Sequence, residues 1–188
     1  MNSKSNYLPG DFAMWIFIFA ELTVFAIFFL AYAFSRSQHV ELFNQYQLTL
    51  NKESGAINTF ILITSSYFVV QAVKMVKQDQ IKKAGNWLMA ALLGGMGFVI
   101  IKMAEFISKT IDGINLSTNL FYMFYLSLTF FHFMHVLLGM VILFIIWLNL
   151  RKGLYSSQQF IGIETGAVYW HMVDLVWIVL FPLVYIIR

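Results

Sequence analysis

The stretch Leu120–Leu150, LFYMFYLSLTFFHFMHVLLGMVILFIIWLNL, runs without a single Asp, Glu, Lys or Arg. It exceeds the roughly 20 residues that a helix needs to cross a hydrocarbon core about 30 Å thick, so it must tilt or protrude. Lipid offers the backbone no hydrogen-bond partners, and an unbroken apolar run of this length therefore implies a helix. Working outward, the same reading applies to Phe12–Phe34, Ala56–Val76, Trp87–Ile107 and Ile163–Ile187. The alternating segments of about ten residues that mark a membrane barrel do not occur. The expected fold is all-α: a polytopic bundle with five transmembrane helices forming one membrane domain over residues 1–188.

Composition agrees, with 60% hydrophobic and 11% charged residues. The absence of cysteine excludes disulfides, thiolate metal sites and iron–sulfur clusters. A net charge of +3 is too small to suggest nucleic acid, and its placement carries more information than its sum. If the helices alternate, Lys4, Lys74, Lys77, Lys82, Lys83, Arg151 and Lys152 fall on one side, and Arg36, Lys52, Lys109 and Arg188 on the other. The positive-inside rule then places the N-terminus in the cytoplasm. Phe12–Phe34 is too long for a secretory signal and lacks a small-residue cleavage site, so it is expected to remain in the mature chain.

Between helices, only segment 35–55 is long and polar; Val40, Phe43, Tyr46 and Leu50 recur there at helical spacing and predict a short interfacial helix. Pro9-Gly10-Asp11 reads as a turn and cap before the first span, and Asn119 as a cap for the fourth. Gly94, Gly95 and Gly97, with Ala90, Ala91 and Ala104, leave one region of the third span nearly bare, while Thr64, Ser65 and Ser66 do the same on the second. Both read as close helix packing.

Against this apolar background stand Glu21, Glu105, His132, His135, His171 and Asp174. An acid at the centre of a membrane helix costs about 2.5–3.5 kcal/mol by insertion scales, so each asks for a reason. Lys102 and Glu105, His132 and His135, and His171 and Asp174 are three residues apart and share a helix face. Glu21 stands about 13 Å along its apolar run with no charged neighbour on its own helix. Four readings are open. The groups fasten helices together by hydrogen bonds. They surround a di-iron or similar centre, although no helix carries the Glu-x-x-His of carboxylate-bridged bundles. Two histidines ligate a haem. Or Glu21, or the His171–Asp174 pair, stores or relays a proton.

Four motifs in order then bear on the choice. Tyr169-Trp170-His171-Met172-Val173-Asp174-Leu175-Val176-Trp177, preceded by Glu164-x-Gly166, resembles the last-helix signature of subunit III of the haem–copper oxidases. Phe131-His132-x-x-His135-Val136-x-x-Gly139 resembles the helix before it, Ala104-Glu105-Phe106 a Ser-Glu-Tyr element, and Phe17-Ile18-Phe19-Ala20-Glu21 the segment holding that family's buried glutamate. The likeness covers nearly the whole chain and is closest to the five-helix form without the family's first two helices. Lys102-Met103-Ala104-Glu105, Asn58-Thr59-x-x-Leu62-x-Thr64-Ser65-Ser66 and Thr118-Asn119-x-Phe121-x-Met123-Phe124-Tyr125 look most like NorE-type members, which are associated with nitric oxide reductases.

The resemblance implies a non-catalytic subunit of a respiratory complex in the bacterial cytoplasmic membrane. Such a subunit binds no cofactor itself, and haem and metal are expected in the catalytic partner. It would contact membrane lipids, although the family's lipid cleft between its first two helices and the rest is in doubt where those helices are missing. In this reading Glu21 is proton-linked, Glu105 pairs with Lys102 or a histidine, and His132, His135, His171 and Asp174 tie the last two helices together. Asp174 would hold His171 with a value of about 1–3 kcal/mol, the cost of an unsatisfied buried polar group. The alternative is an autonomous membrane metal or haem enzyme using those same four residues.

Overall fold

A computed structural model describes residues 10–187, so Lys4, Pro9 and Arg188 lie outside the described residues. The described chain is helical, with α1 Phe12–Gln38, α2 Val40–Gln47, α3 Lys52–Lys77, α4 Ile81–Ile111, α5 Leu120–Arg151 and α6 Ile161–Phe181, the last continuing into a π-turn Pro182–Ile186. Five helices are long and apolar enough to cross a membrane, with α6 and its π-turn forming one span. α1, α3, α4 and α5 reach beyond their apolar runs because polar residues at the ends continue the helix: α4 begins six residues before Trp87 and includes Lys82 and Lys83.

Local signals fix the ends. Asp11, Asn51 and Asn119 accept hydrogen bonds from the amides of Ala13, Ser54 and Tyr122 at the starts of α1, α3 and α5. At the end of α4, Gly113 takes a left-handed φ of 74°, which lets the Ile114 amide reach back to the Lys109 carbonyl at 3.0 Å. Asp79 takes the same role after α3 with φ 56°, and its carboxylate accepts the Ser157 amide at 2.7 Å. That bond ties the α3–α4 turn to the α5–α6 loop and holds the Asp79 carboxyl below its ordinary value.

The spans pack where side chains are small. Ser65 donates to the Ala91 carbonyl at 2.8 Å, and a Cβ on Gly94 would lie 2.9 Å from that of Ser65, so α3 and α4 meet almost backbone to backbone. Gly139 receives the face of Trp170, and Gly166 receives Ile146, which brings α5 and α6 equally close. Consequently α6 is the most buried span, touching α1, α3 and α5, while α4 closes the group against α3 and α5. α1 is attached at the side and leaves Phe12, Ile16, Phe19, Ile27, Leu30 and Phe34 exposed.

Pro182 cannot donate an amide hydrogen bond, and the chain widens there into the π-turn, closed by Ile187 N–H on the Pro182 carbonyl at 2.9 Å. α2 caps the carbonyls at this end. Gln47 donates to Val184 and Ile187 at 2.9 and 3.0 Å, and Arg36 donates to Ile187 and to Asn44. The short helix expected in segment 35–55 thus clamps the far end of α6.

Candidate functional site

The intramembrane polar residues form separate centres. The first lies on the π-turn side of the bundle. Lys102 on α4 is fully buried, and its ammonium donates to Glu105 Oε2 at 2.9 Å and to the Tyr185 hydroxyl at 2.6 Å. The other carboxylate oxygen accepts from Tyr125 on α5 at 2.6 Å and from Tyr185 at 2.8 Å. The rings of Phe106, Tyr125, Trp177 and Tyr185 surround the ammonium at 5.1–5.6 Å from their centroids, a cation–π cage. The widened backbone at Pro182 delivers Tyr185 into this cluster. Its hydroxyl accepts from Lys102 and donates to Glu105, so α4, α5 and α6 share one satisfied network.

The second centre joins α1 to α5. Glu21 Oε2 lies 3.0 Å from His135 Nε2, while His135 Nδ1 lies 2.7 Å from the Phe131 carbonyl. A carbonyl only accepts, so Nδ1 carries a hydrogen and Nε2 faces the acid. One proton must then lie between the Glu21 oxygen and Nε2, either as carboxylic acid to imidazole or as carboxylate to imidazolium. Both arrangements are neutral overall, which is what a low-dielectric site tolerates. The rings of Phe25 and Phe131 lie 5.2 and 4.8 Å from the His135 ring and cover it.

The remaining groups depart from the sequence expectation. His132 is fully buried, yet neither ring nitrogen has a hydrogen-bond partner. It stacks on Trp177 at 5.1 Å and meets the edge of Phe98 at 5.7 Å, behaving as an aromatic core residue. His171 Nδ1 lies 2.5 Å from Ser66 Oγ on α3, whereas Asp174 Oδ2 stands 3.6 Å away, beyond a hydrogen bond. The expectation that the side chains of four residues tie α5 to α6 is therefore corrected: the His135 side chain reaches α1, and only its backbone carbonyl meets α6, accepting from the Tyr169 hydroxyl at 3.4 Å; His171 reaches α3, and His132 touches α6 through stacking. Spacing of three residues correctly put each pair on one helix face, but a face does not say which neighbouring helix it meets.

Sequence reasoning also passed over Glu164. It is buried at the start of α6, 2.5 Å from Lys77 of α3. Its signal in the sequence is position: an acid in the first turn of α6, opposite the basic end of α3. Trp177 contributes a further fastening, donating from Nε1 to Thr59 at 2.9 Å.

A metal centre would need several ligands at one point. Among the described residues no three His, Cys, Asp or Glu side chains come together, and His132, His135 and His171 face different surroundings. This arrangement does not favour the autonomous metal or haem enzyme.

Comparison with known proteins points to one family. The family model for cytochrome c oxidase subunit III matches residues 9–188. The chain is 32% identical to a cytochrome c oxidase subunit 3 from Thermostichus vulcanus, over 92% of this chain and 84% of the relative. It is 27% identical to a cytochrome bo(3) ubiquinol oxidase subunit 3 from Buchnera aphidicola, over 93% and 85% of the two chains. It is also 29% identical to a haem–copper oxidase subunit I+III from Aeropyrum pernix, over 93% of this chain and 22% of that longer one.

Proposed function

Because the chain belongs to the cytochrome c oxidase subunit III family, we propose that it is a non-catalytic membrane subunit docked against the catalytic subunit of a respiratory haem–copper oxidase complex. Members of this family generally hold no cofactor of their own, and their association with catalytic subunit I gives the partner its chemical class. The observation that carries the reading is the match over 9–188, joined to intramembrane polar groups that mostly pair between helices, with no three His, Cys, Asp or Glu side chains together among the described residues. A relative named as subunit I+III in one polypeptide supports subunit I as the neighbour.

Within the superfamily, the nitric oxide reductase branch is the finer reading. It rests on the Lys102–Glu105 element and on the Asn58–Ser66 and Thr118–Tyr125 segments, which resemble NorE-type proteins. An oxygen-reducing oxidase is the other, favoured by the names of the relatives above. The N-terminus lies in the cytoplasm of a bacterial inner membrane, supported by the basic excess at the α3–α4 and α5–α6 ends.

Glu21 and His135 form the proton-linked pair in this proposal. The single proton between them can change sides without creating net charge, and Glu21 is partly accessible from outside the bundle, its side chain 21% exposed. Lys102, Glu105, His132 and His171 hold the bundle, while Asp174 stands beside His171 without a hydrogen bond to it.

Gentle solubilisation of an affinity-tagged chain, followed by mass spectrometry of what co-purifies and by oxygen and nitric oxide consumption, tests the reading. A haem-bearing subunit should accompany the chain, and nitric oxide rather than oxygen should be consumed. Oxygen consumption alone overturns the branch, and isolation without any haem-bearing partner under conditions that preserve other respiratory complexes overturns the subunit assignment.

A further inference from the structure

On the α2 side of the bundle, a recess of about 490 Å³ leads along α4 to Glu105. Six of its nine lining residues are polar: Thr49, Asn51 and Ser54 come from the α2–α3 turn and the start of α3, and Glu105, Ser108 and Lys109 from α4. Lys109 donates to the Thr49 carbonyl at 2.9 Å and ties the two walls together. Asn51 accepts the Ser54 amide, whereas the Ser54 and Ser108 hydroxyls have no hydrogen-bond partner among the described residues. Hydrocarbon would leave such groups unsatisfied, while the recess has room for several waters at about 30 Å³ each.

Glu105 stands six residues before the end of α4 at Ile111, about 9 Å inside it. Its side chain is 7% exposed, and the Lys102 side chain behind it is fully enclosed. The carboxylate is therefore where the recess meets the cluster of Lys102, Tyr125 and Tyr185. Toward the middle of the bundle this cluster ends on Trp177, whose ring lies 5.6 Å from the Lys102 ammonium and packs against Phe98 at 5.0 Å and His132 at 5.1 Å. All three rings are buried, so ring packing closes that end.

We propose that this recess is a water-filled vestibule through which the buried Lys102–Glu105 cluster exchanges protons with the aqueous phase on the α2 side and with no other. A proton of Lys102, Tyr125 or Tyr185 leaves through the Glu105 carboxylate to a vestibule water as a solvent proton takes its place, so atoms and charge balance. The ion pair is then a one-sided proton-exchange site as well as a fastening, at a place separate from the Glu21–His135 pair.

The chain has no cysteine, so a single introduced cysteine reports its own surroundings. Ala104→Cys and Ser108→Cys lie on the vestibule wall, Leu93→Cys on the exposed apolar face of α4, Asp112→Cys beyond the same end of α4, and Lys152→Cys at the opposite end of the bundle. In native membranes holding the complex, a charged, impermeant methanethiosulfonate should label both wall positions at least tenfold faster than Leu93→Cys. It should do so from the side that labels Asp112→Cys and not from the side that labels Lys152→Cys. With the full chain in nanodiscs in deuterated water, exchange at the Lys102 ammonium, read by nitrogen NMR, should slow at least tenfold once Ala104→Cys or Ser108→Cys is modified. The unfolding midpoint confirms that a modified variant is folded; where one fails to fold, the other is read. Labelling of the wall no faster than of Leu93→Cys overturns the vestibule and puts lipid or a partner subunit over the recess. Labelling from the Lys152→Cys side, or Lys102 exchange that is absent or unchanged by modification in a folded variant, overturns the one-sided route.

Discussion

Removal of Glu105 should be the most damaging single change within the bundle. Lys102 is fully buried, and its hydrogen-bonding partners are Glu105 and Tyr185. With Ala at position 105 the ammonium keeps one phenol oxygen and its aromatic cage but loses its counter-charge, a change worth about 3–5 kcal/mol for a broken buried pair. Tyr125 also loses its acceptor, and Tyr185 loses one, adding about 1 kcal/mol each where the hydroxyl finds no replacement. Tyr125→Phe removes one bond from the same cluster and should cost only about 0.5–1.5 kcal/mol. The informative control is Lys102→Met with Glu105→Leu and Tyr125→Phe, which replaces charges and an orphaned hydroxyl by apolar groups and should recover most of the loss. Equilibrium unfolding of the purified chain in mixed micelles measures all three. A loss in Glu105→Ala no larger than that in Tyr125→Phe, or a triple variant as unstable as Glu105→Ala, refutes the idea that this ion pair is the keystone of the α4–α5–α6 junction.

Other expectations follow from the same geometry. Asp174→Ala should cost less than about 1 kcal/mol, whereas Ser66→Ala, which strips His171 of its hydrogen bond, should cost about 1 kcal/mol; thermal unfolding in detergent ranks them, and the opposite order counts against the observed geometry. Gly139→Ala places a methyl group 2.8 Å from the Trp170 ring and should lower stability by about 1–3 kcal/mol, visible in the same assay. Glu21→Gln keeps a donor for His135 Nε2 but removes the shared proton, so the chain should assemble normally while the partner's turnover lifetime changes with pH; an unchanged lifetime across pH leaves the proton role without support. Asp79 has its carboxyl held below the ordinary value by Ser157, so its contribution is present above the ordinary carboxylate range and lost as pH falls through the lowered one. Proteolysis of the α5–α6 loop should therefore accelerate in acid, and Asp79→Asn, which tolerates the left-handed backbone, should flatten that dependence.

The spans were legible because lipid imposes a simple rule: long apolar runs must be helices. The small residues at Gly94, Gly95 and Ser65 likewise announced close packing, since only small side chains admit a neighbouring backbone. Within the polar set, Lys102 and Glu105 lie on one face three residues apart, and their pairing needed no knowledge of neighbouring helices. Glu21 and His135 are 114 positions apart, and their meeting depends on how α1 leans on α5, which local spacing does not encode. Asp174 shows the reverse error, for a shared face brought it near His171 without bringing it into hydrogen-bonding range. Tyr185 was invisible for another reason: its entry into the Lys102 cluster depends on the π-turn that Pro182 begins.

In the proposed role the chain supports a cofactor-bearing subunit and carries no redox centre itself. Haem and metal content per chain, measured by visible absorption and elemental analysis on the intact complex and then on this chain separated from it, tests that most directly. A Soret band should appear in the complex and stay with the partner, leaving this chain with far less than one haem, iron or copper per molecule. Stoichiometric haem or metal retained by the separated, folded chain would contradict it.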